Sequence, residues 1–255
     1  MRERLGDEVR IVGAGLVSPG VVTDAGLALA PNNPGMETLT PADLAAALGL
    51  PHLAWANDVK AAALAEHAWG NLAGARCGLY LNLGTGLSAG AVIDGRPLNG
   101  AHGAALEIAY LMPASGSRPP GAASGAAPLE DLISGRALAE QAEQAGLAGW
   151  TASRLLTEAP IAAAPFVARF LDELTRAAVN LAVALDVDAV CVGGGIAAAT
   201  DAFLPPLRAA LDEYAPFPPR LALAAHPHDA SLRGALRIAC DEAGWPPERL
   251  GALAA

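Results

Sequence analysis

The sequence predicts an α/β protein, and three stretches carry that expectation. Thr40 to Gly70 reads as helix, strand, helix; Leu79 to Leu83 alternates like a strand and runs into Gly84-Thr85-Gly86; Asp188 to Val192 is an apolar strand that runs into Gly193-Gly194-Gly195. Strands that end in glycines ahead of helices are the layout in which open α/β sheets receive nucleotides. At 255 residues, 53% of them hydrophobic, the chain has material for one large domain or two modest ones.

Thr40-Pro41-Ala42-Asp43 opens the first helix with a capping hydroxyl, a proline at the first helical position and an acid near the positive end of the helix dipole; Gly49 closes it. Leu53 to Trp55 is a short strand. Asn57-Asp58 can then cap a second helix, whose apolar residues Val59, Ala62, Leu64 and Ala68 lead to Gly70. Leu79-Tyr80-Leu81-Asn82-Leu83 has the alternation of a half-buried strand, and the small-residue strand beyond Gly86 reaches Ile93 and an Asp94-Gly95 turn, so a hairpin is expected. Ser115 to Pro128 is aperiodic and rich in serine, glycine, alanine and proline, the signature of a mobile loop. Pro165 to Leu185 is the strongest helix, with Phe166, Phe170, Leu174, Ala178, Leu181 and Leu185 on one face and Arg169, Asp172, Glu173 and Arg176 opposite. A further helix is expected after Gly193 to Gly195.

Composition excludes several classes of function. A formal net charge of -10 repels a phosphate backbone, and with no basic stripe or helix-turn-helix pattern nucleic-acid binding is not expected. Glycines, prolines and charges interrupt every apolar run before the ~20 residues of a membrane span. The charged start, Met1 to Val12, does not read as a secretion signal, so a cytoplasmic location is expected. Cys77, Cys191 and Cys240 lie far apart, in the spacing of neither a disulfide framework nor a zinc ribbon. Lys60 is the only lysine among mostly arginine basic residues.

The chemical candidates each have a plain structural reading beside the functional one. Asn57-Asp58, just after a strand end, stands where open α/β sheets place catalytic side chains, but asparagine and aspartate are also among the best helix caps. Gly84-Thr85-Gly86 can bring backbone N–H groups onto phosphate oxygens or simply form a glycine-rich bend. Gly193 to Gly195 can admit an adenosine against bare backbone, although a lone triple glycine is common. Glu107 and Glu130, acids among small and apolar residues, suit charged acceptors for sugar hydroxyls or are ordinary surface carboxylates. His226 and His228 read as loop residues.

The order of the signals is more specific than any one of them. Ala56-Asn57-Asp58-Val59-Lys60-Ala61-Ala62-Ala63-Leu64-Ala65-Glu66 followed by Leu83-Gly84-Thr85-Gly86-Leu87-Ser88-Ala89-Gly90 closely resembles the ROK family of sugar kinases and related repressors. Gly100 to Glu107, Leu129-Glu130 with Ser134-Gly135-Arg136-Ala137-Leu138, Val190 to Gly195 and Asp229 to Ala235 agree with it, so the likeness runs from about Gly13 to Ala239. The resemblance implies a ribonuclease-H-like, actin-type ATPase fold of two lobes: residues 1–74 with the C-terminal helix of 226–255 packing back on them, and residues 75–225. It implies Asp58 as catalytic base; Asn57, Asn32, Glu107 and Glu130 as sugar ligands; Gly84, Thr85 and Gly86 as a phosphate loop; and Gly193, Gly194 and Gly195 as the adenosine motif. The helix N-terminus is expected to keep Asp58 ionised.

The activity so implied is transfer of the γ-phosphoryl group of ATP, with Mg²⁺, to a hydroxyl of a hexose or an N-acetylated amino sugar; the alternative is a sugar-binding or regulatory protein that transfers phosphate poorly. Two departures from the family pattern stand out. The family's acidic, double-glycine first phosphate loop has no counterpart here, which predicts an N-terminally truncated first lobe with an exposed sheet edge, and a homodimer is expected. Tyr110 stands where the family's zinc histidine would be and the loop from Ser115 to Pro128 holds no cysteine, so zinc is not expected.

Overall fold

The computed structural model describes residues 11–30, 33–114, 119–158 and 160–245. Asn32 lies outside the described residues, as do 115–118 of the predicted loop; the described remainder of that loop contains a single 3-10 turn at Ala122–Ser124.

The first third of the chain forms a small layer. Strand β1 (Ala14–Ser18) pairs in parallel with β4 (Leu53–Asn57), Leu16 opposite Trp55, and the pair is pinned by the Trp55 indole donating to the Ser18 hydroxyl at 2.9 Å. Between them lie a short hairpin, β2 (Val21–Thr23) with β3 (Gly26–Ala28), and helix α1 (Pro41–Leu48). The cap of α1 is the predicted one and more complete: Thr40 Oγ1 accepts from the Asp43 N–H while the Asp43 carboxylate accepts from the Thr40 N–H, and Gly49 ends the helix in the left-handed region at φ 59. Helix α2 (Asp58–Trp69) follows β4 without a linker.

The second sheet has five strands in the order β7-β6-β5-β8-β9, formed by β5 (Cys77–Leu83), β6 (Leu87–Ile93), β7 (Arg96–Pro97), β8 (Ala189–Gly193) and β9 (Arg220–Leu223). β5 is antiparallel to β6, as the hairpin reading requires, and parallel to β8. Helices α3 (Gly135–Gln144), α4 (Ala152–Glu158), α5 (Ala164–Leu185) and α6 (Thr200–Tyr214) cover one face, where Leu79, Leu81 and Leu83 meet Phe170, Leu174, Phe203 and Leu207. Tyr80 and Cys191 point to the other face and pack on Val59, Ala63 and Leu64 of α2. The alternation of β5 thus marks two buried faces rather than one wet face, because α2 covers the side expected to meet solvent. A second correction concerns Glu173, which shares its helix face with no solvent: it is 1% exposed and accepts the Ala114 N–H at 3.1 Å. No helix among the described residues is long and apolar enough to cross a membrane.

Helix α7 (Ala230–Glu242) returns to lie on α2 and β1. Its Gly234 presses against the α2 backbone so closely that an added β-carbon would sit 2.1 Å from the Ala61 carbonyl oxygen. Because the obstacle is backbone, it cannot rotate aside. Gly234→Ala is therefore expected to destabilise the fold by about 1–3 kcal/mol, toward the upper end, read as a lower denaturant midpoint with an unchanged slope. An unaltered midpoint would mean that the two helices are not in contact there.

Candidate active site

The Asn57-Asp58 pair divides its work. Asn57 is the cap of α2: its Oδ1 accepts from the N–H groups of Val59 and Lys60, both at 3.0 Å, and its Nδ2 donates to the Gly20 carbonyl at 3.0 Å, tying α2 to the turn after β1. Asp58 is the first helical residue, with Oδ1 accepting the Val59 N–H at 2.9 Å. Capping thus falls mainly to Asn57, with Asp58 adding one bond to the Val59 N–H. Burial pushes the Asp58 carboxyl up from its ordinary value, outweighing the opposing backbone hydrogen bonds. Burial therefore works against the helix N-terminus, which is expected to keep Asp58 ionised.

Glu107 and Lys60 stand in the same electrostatic neighbourhood. Lys60, the single lysine, is 4% exposed and its ammonium donates to the Gly103 carbonyl, which fastens the segment carrying Glu107 to the first turn of α2. Burial raises the Glu107 carboxyl; the Lys60 ammonium opposes this, and the Asp58 and Glu130 carboxylates add to it. Burial in turn lowers the Lys60 ammonium, against the pull of Glu107. The residue before Glu107, Leu106, is held at φ 65, a left-handed conformation that a bulky side chain rarely adopts and that aims Glu107 at cost to the backbone. Tyr110 lies beside both glutamates, its hydroxyl raised first by burial and then by their charges. Lys60 and Tyr110 join the candidate site; the sequence marks Lys60 only as a solitary lysine and Tyr110 only as the residue standing where the family's zinc histidine would be.

Glu130 is more committed than its sequence context implied. Its Oε2 accepts the Leu87 N–H at 2.8 Å and its Oε1 lies 3.7 Å from the Arg136 guanidinium. A β-carbon on Gly86 would meet that carboxylate at 2.6 Å, so Gly86 is glycine to let Glu130 reach the turn. The turn is also docked on α3: the Gly84 and Thr85 carbonyls accept the N–H groups of Gly135 and Arg136 at 2.9 and 3.1 Å.

The two glycine runs emerge side by side because β5 and β8 are parallel neighbours, with Asn82 opposite Gly193. Within the second run the glycines differ. Gly194 sits at φ 91 with the Leu83 carbonyl 2.4 Å from where a β-carbon would be, so the fold itself requires it, whereas nothing lies within 4 Å of the same position on Gly195. Gly195 faces an open cleft of about 570 Å³ lined by Thr85, Arg136, Trp150, Ser153 and Ile196 among others. Trp150, its ring covered by the Arg154 guanidinium at 3.9 Å, supplies a flat apolar wall. Sequence reasoning missed this wall; a tryptophan amid Ala148-Gly149-Trp150-Thr151 was the available signal.

The sequence matches the model of the ROK family over residues 2–242. The chain belongs to the ROK family. Among its relatives, the N-acetylmannosamine kinase of Salmonella arizonae is 32% identical over 250 residues, covering 91% of this chain and 79% of the relative. The bifunctional enzyme NanE/NanK of Brucella melitensis is 33% identical over 175 residues, 67% of this chain, and the chain spans only 32% of that longer protein. The crystal structure of ROK hexokinase from Thermus thermophilus superposes with a TM-score of 0.76 at 30% identity, over 93% of this ROK chain and 81% of the hexokinase. The sheet-and-helix architecture is therefore that of ROK sugar-kinase structures. Among the described residues of this ROK chain, no three His, Cys, Asp or Glu side chains are grouped to hold a metal ion.

Proposed function

We propose that the chain is an ATP-dependent sugar kinase of ROK type that phosphorylates a hydroxyl of a hexose or an N-acetylated amino sugar. The observation that carries this reading is the gathering of Asp58, Glu107, Glu130 and Lys60 in one electrostatic neighbourhood, with Glu130 bonded into the same turn that borders the Gly195 cleft. In this reading residues 11–74 with 226–245 form one lobe and 75–225 the other, and the sugar lies between them. Glu107 and Tyr110 orient it, and Asn57 completes its surroundings; Asn32, a further sugar ligand by resemblance, lies outside the described residues.

Asp58 accepts the proton of the attacking hydroxyl as that oxygen bonds to the γ-phosphorus and the bond from phosphorus to the bridging oxygen breaks, releasing ADP. The adenosine lies along Gly193 to Gly195 against Trp150, and the phosphates approach the Gly84–Gly86 turn. Magnesium has no dedicated cage of side chains among the described residues, which fits an ion carried in on the triphosphate with at most one or two carboxylates of the cleft. When bound it neutralises phosphate charge.

The test is incubation of the purified protein with magnesium and ATP and, in turn, glucose, mannose, N-acetylglucosamine and N-acetylmannosamine, with sugar phosphate detected by mass spectrometry. One of these is expected to give stoichiometric sugar phosphate and ADP. Sugar binding by calorimetry without any product would favour the regulatory reading, and neither binding nor product would remove the sugar-kinase proposal.

A further inference from the structure

Helix α2 carries the candidate base at its first residue and a second, fully buried carboxylate at Glu66, eight residues on and so about 12 Å along the helix. Glu66 takes no part in the chemistry proposed above. Its partners come from both places where the chain passes between the two sheets. From the first crossing, after α2, the Asn71 N–H donates to Oε2 at 2.9 Å. From the second, between β9 and α7, the Ala225 N–H donates to Oε2 at 3.1 Å and the His226 N–H to Oε1 at 2.8 Å. The thiol of Cys191, on β8 of the five-stranded sheet, lies 3.7 Å from Oε2.

Smaller bonds repeat the pattern around this carboxylate. Asn71 Nδ2 donates to the Leu223 carbonyl at 2.9 Å, joining the first crossing to the end of β9, and the His226 ring contacts the Trp69 carbonyl at 3.2 Å, joining the second crossing to the end of α2. Gly70 is small because a β-carbon there would stand 2.1 Å from Glu66 Oε2. Burying a carboxylate is costly, and an apolar side chain of the same size would fill the space without that cost. Only an acceptor with two oxygens, however, can draw three N–H groups from two separate crossings onto one point.

We propose that Glu66 is a positioning residue, the clasp of an interlobe hinge that fixes how Asp58 on α2 faces the nucleotide cleft on the five-stranded sheet. The consequence for ligands rests on the kinase reading; the clasp itself does not. Sugar contacts come from both lobes, through Asn57 and Asp58 on one and Glu107 and Glu130 on the other, whereas the cleft beside Gly195 belongs to one lobe. Loosening the clasp therefore acts on the sugar and spares the nucleotide.

Glu66→Gln keeps the volume but turns an amide N–H₂ toward a backbone donor. With spin labels at Leu48→Cys and Tyr214→Cys, both exposed and on opposite lobes, the interlobe distance distribution is expected to broaden in Glu66→Gln relative to the same labels on the unsubstituted chain, with the native cysteines alone as the background control. In calorimetry, sugar affinity is expected to fall at least about tenfold while adenine-nucleotide affinity stays within about twofold. An unchanged distance distribution overturns the proposal, and so does an equal loss of both ligands, which marks a merely structural residue. If the unsubstituted chain binds neither ligand, the kinase reading fails and the label distances alone decide the clasp. Should Glu66→Gln not fold, Asn71→Ala, at an exposed side chain that joins the first crossing to the end of β9, carries the same measurements with a smaller change in the same direction.

Discussion

Asp58→Asn is expected to lower phosphoryl transfer by roughly 10²–10⁴-fold, the usual worth of a general base, with little change in sugar affinity. The structure makes this substitution cleaner than the sequence alone promised, because the cap of α2 is Asn57, whose Oδ1 holds the Val59 and Lys60 N–H groups. Asparagine at position 58 can still accept the Val59 N–H through its amide oxygen. Loss of turnover with loss of the fold would point to a structural carboxylate; full turnover with the fold intact would remove Asp58 from the mechanism.

The raised Asp58 carboxyl adds a pH dependence with a definite sign. Burial favours its neutral form in the folded protein more than in the unfolded chain, so the folded state holds this proton more tightly. The stability that Asp58 contributes is therefore full below the ordinary aspartate value and lost as pH rises through the folded one. Asp58→Asn is free of that loss, and denaturant melts should place the variant level with or above the parent at pH 7, with the difference vanishing below about pH 4. In kinetics the same shift moves the acid limb of kcat/KM to higher pH than an unperturbed carboxylate would give.

Much of the scaffold was legible because its punctuation is local. Thr40 and Asp43 open α1 through their own side-chain hydrogen bonds, Gly49 closes it in the left-handed region, and Asn57 caps α2, so the helix, strand, helix succession follows from neighbours in sequence. The Gly84-Thr85-Gly86 bend and the strand leading into Gly193 were equally local. The short hairpin of β2 and β3, at three residues per strand, carries too little periodicity to be read. What the pattern misjudged depends on partners far along the chain: both faces of β5 are buried because α2 crosses one of them, and Glu173 is buried because Ala114 lies against it. The site shows the same division. Asp58, Glu107 and the glycine runs were singled out as candidates by the ordered resemblance to the ROK family, but that Glu130 braces the turn at Leu87, that Lys60 holds Gly103 and that Glu66 gathers two chain crossings are facts of tertiary approach across 43 to 160 residues of sequence.

Gly195→Val is the substitution expected to separate nucleotide binding from everything else. Gly194 is a poor probe of the same site: at φ 91, with the Leu83 carbonyl against its missing β-carbon, a valine there strains the backbone and loses the fold together with any ligand. Gly195 has open space around its α-carbon and lines the cleft with Thr85, Trp150 and Ser153, so a valine side chain enters that cleft without disturbing the turn. An isopropyl group placed where an adenosine should lie costs about 1–3 kcal/mol of overpacking, which is roughly 5–150-fold in affinity. Calorimetry with a non-hydrolysable ATP analogue is expected to show that loss, while thermal unfolding and sugar affinity match the parent. Unaltered nucleotide affinity in a folded Gly195→Val protein would move the adenosine away from this cleft, and a falling melting temperature in step with affinity would show that Gly195, like Gly194, is glycine for the sake of the fold.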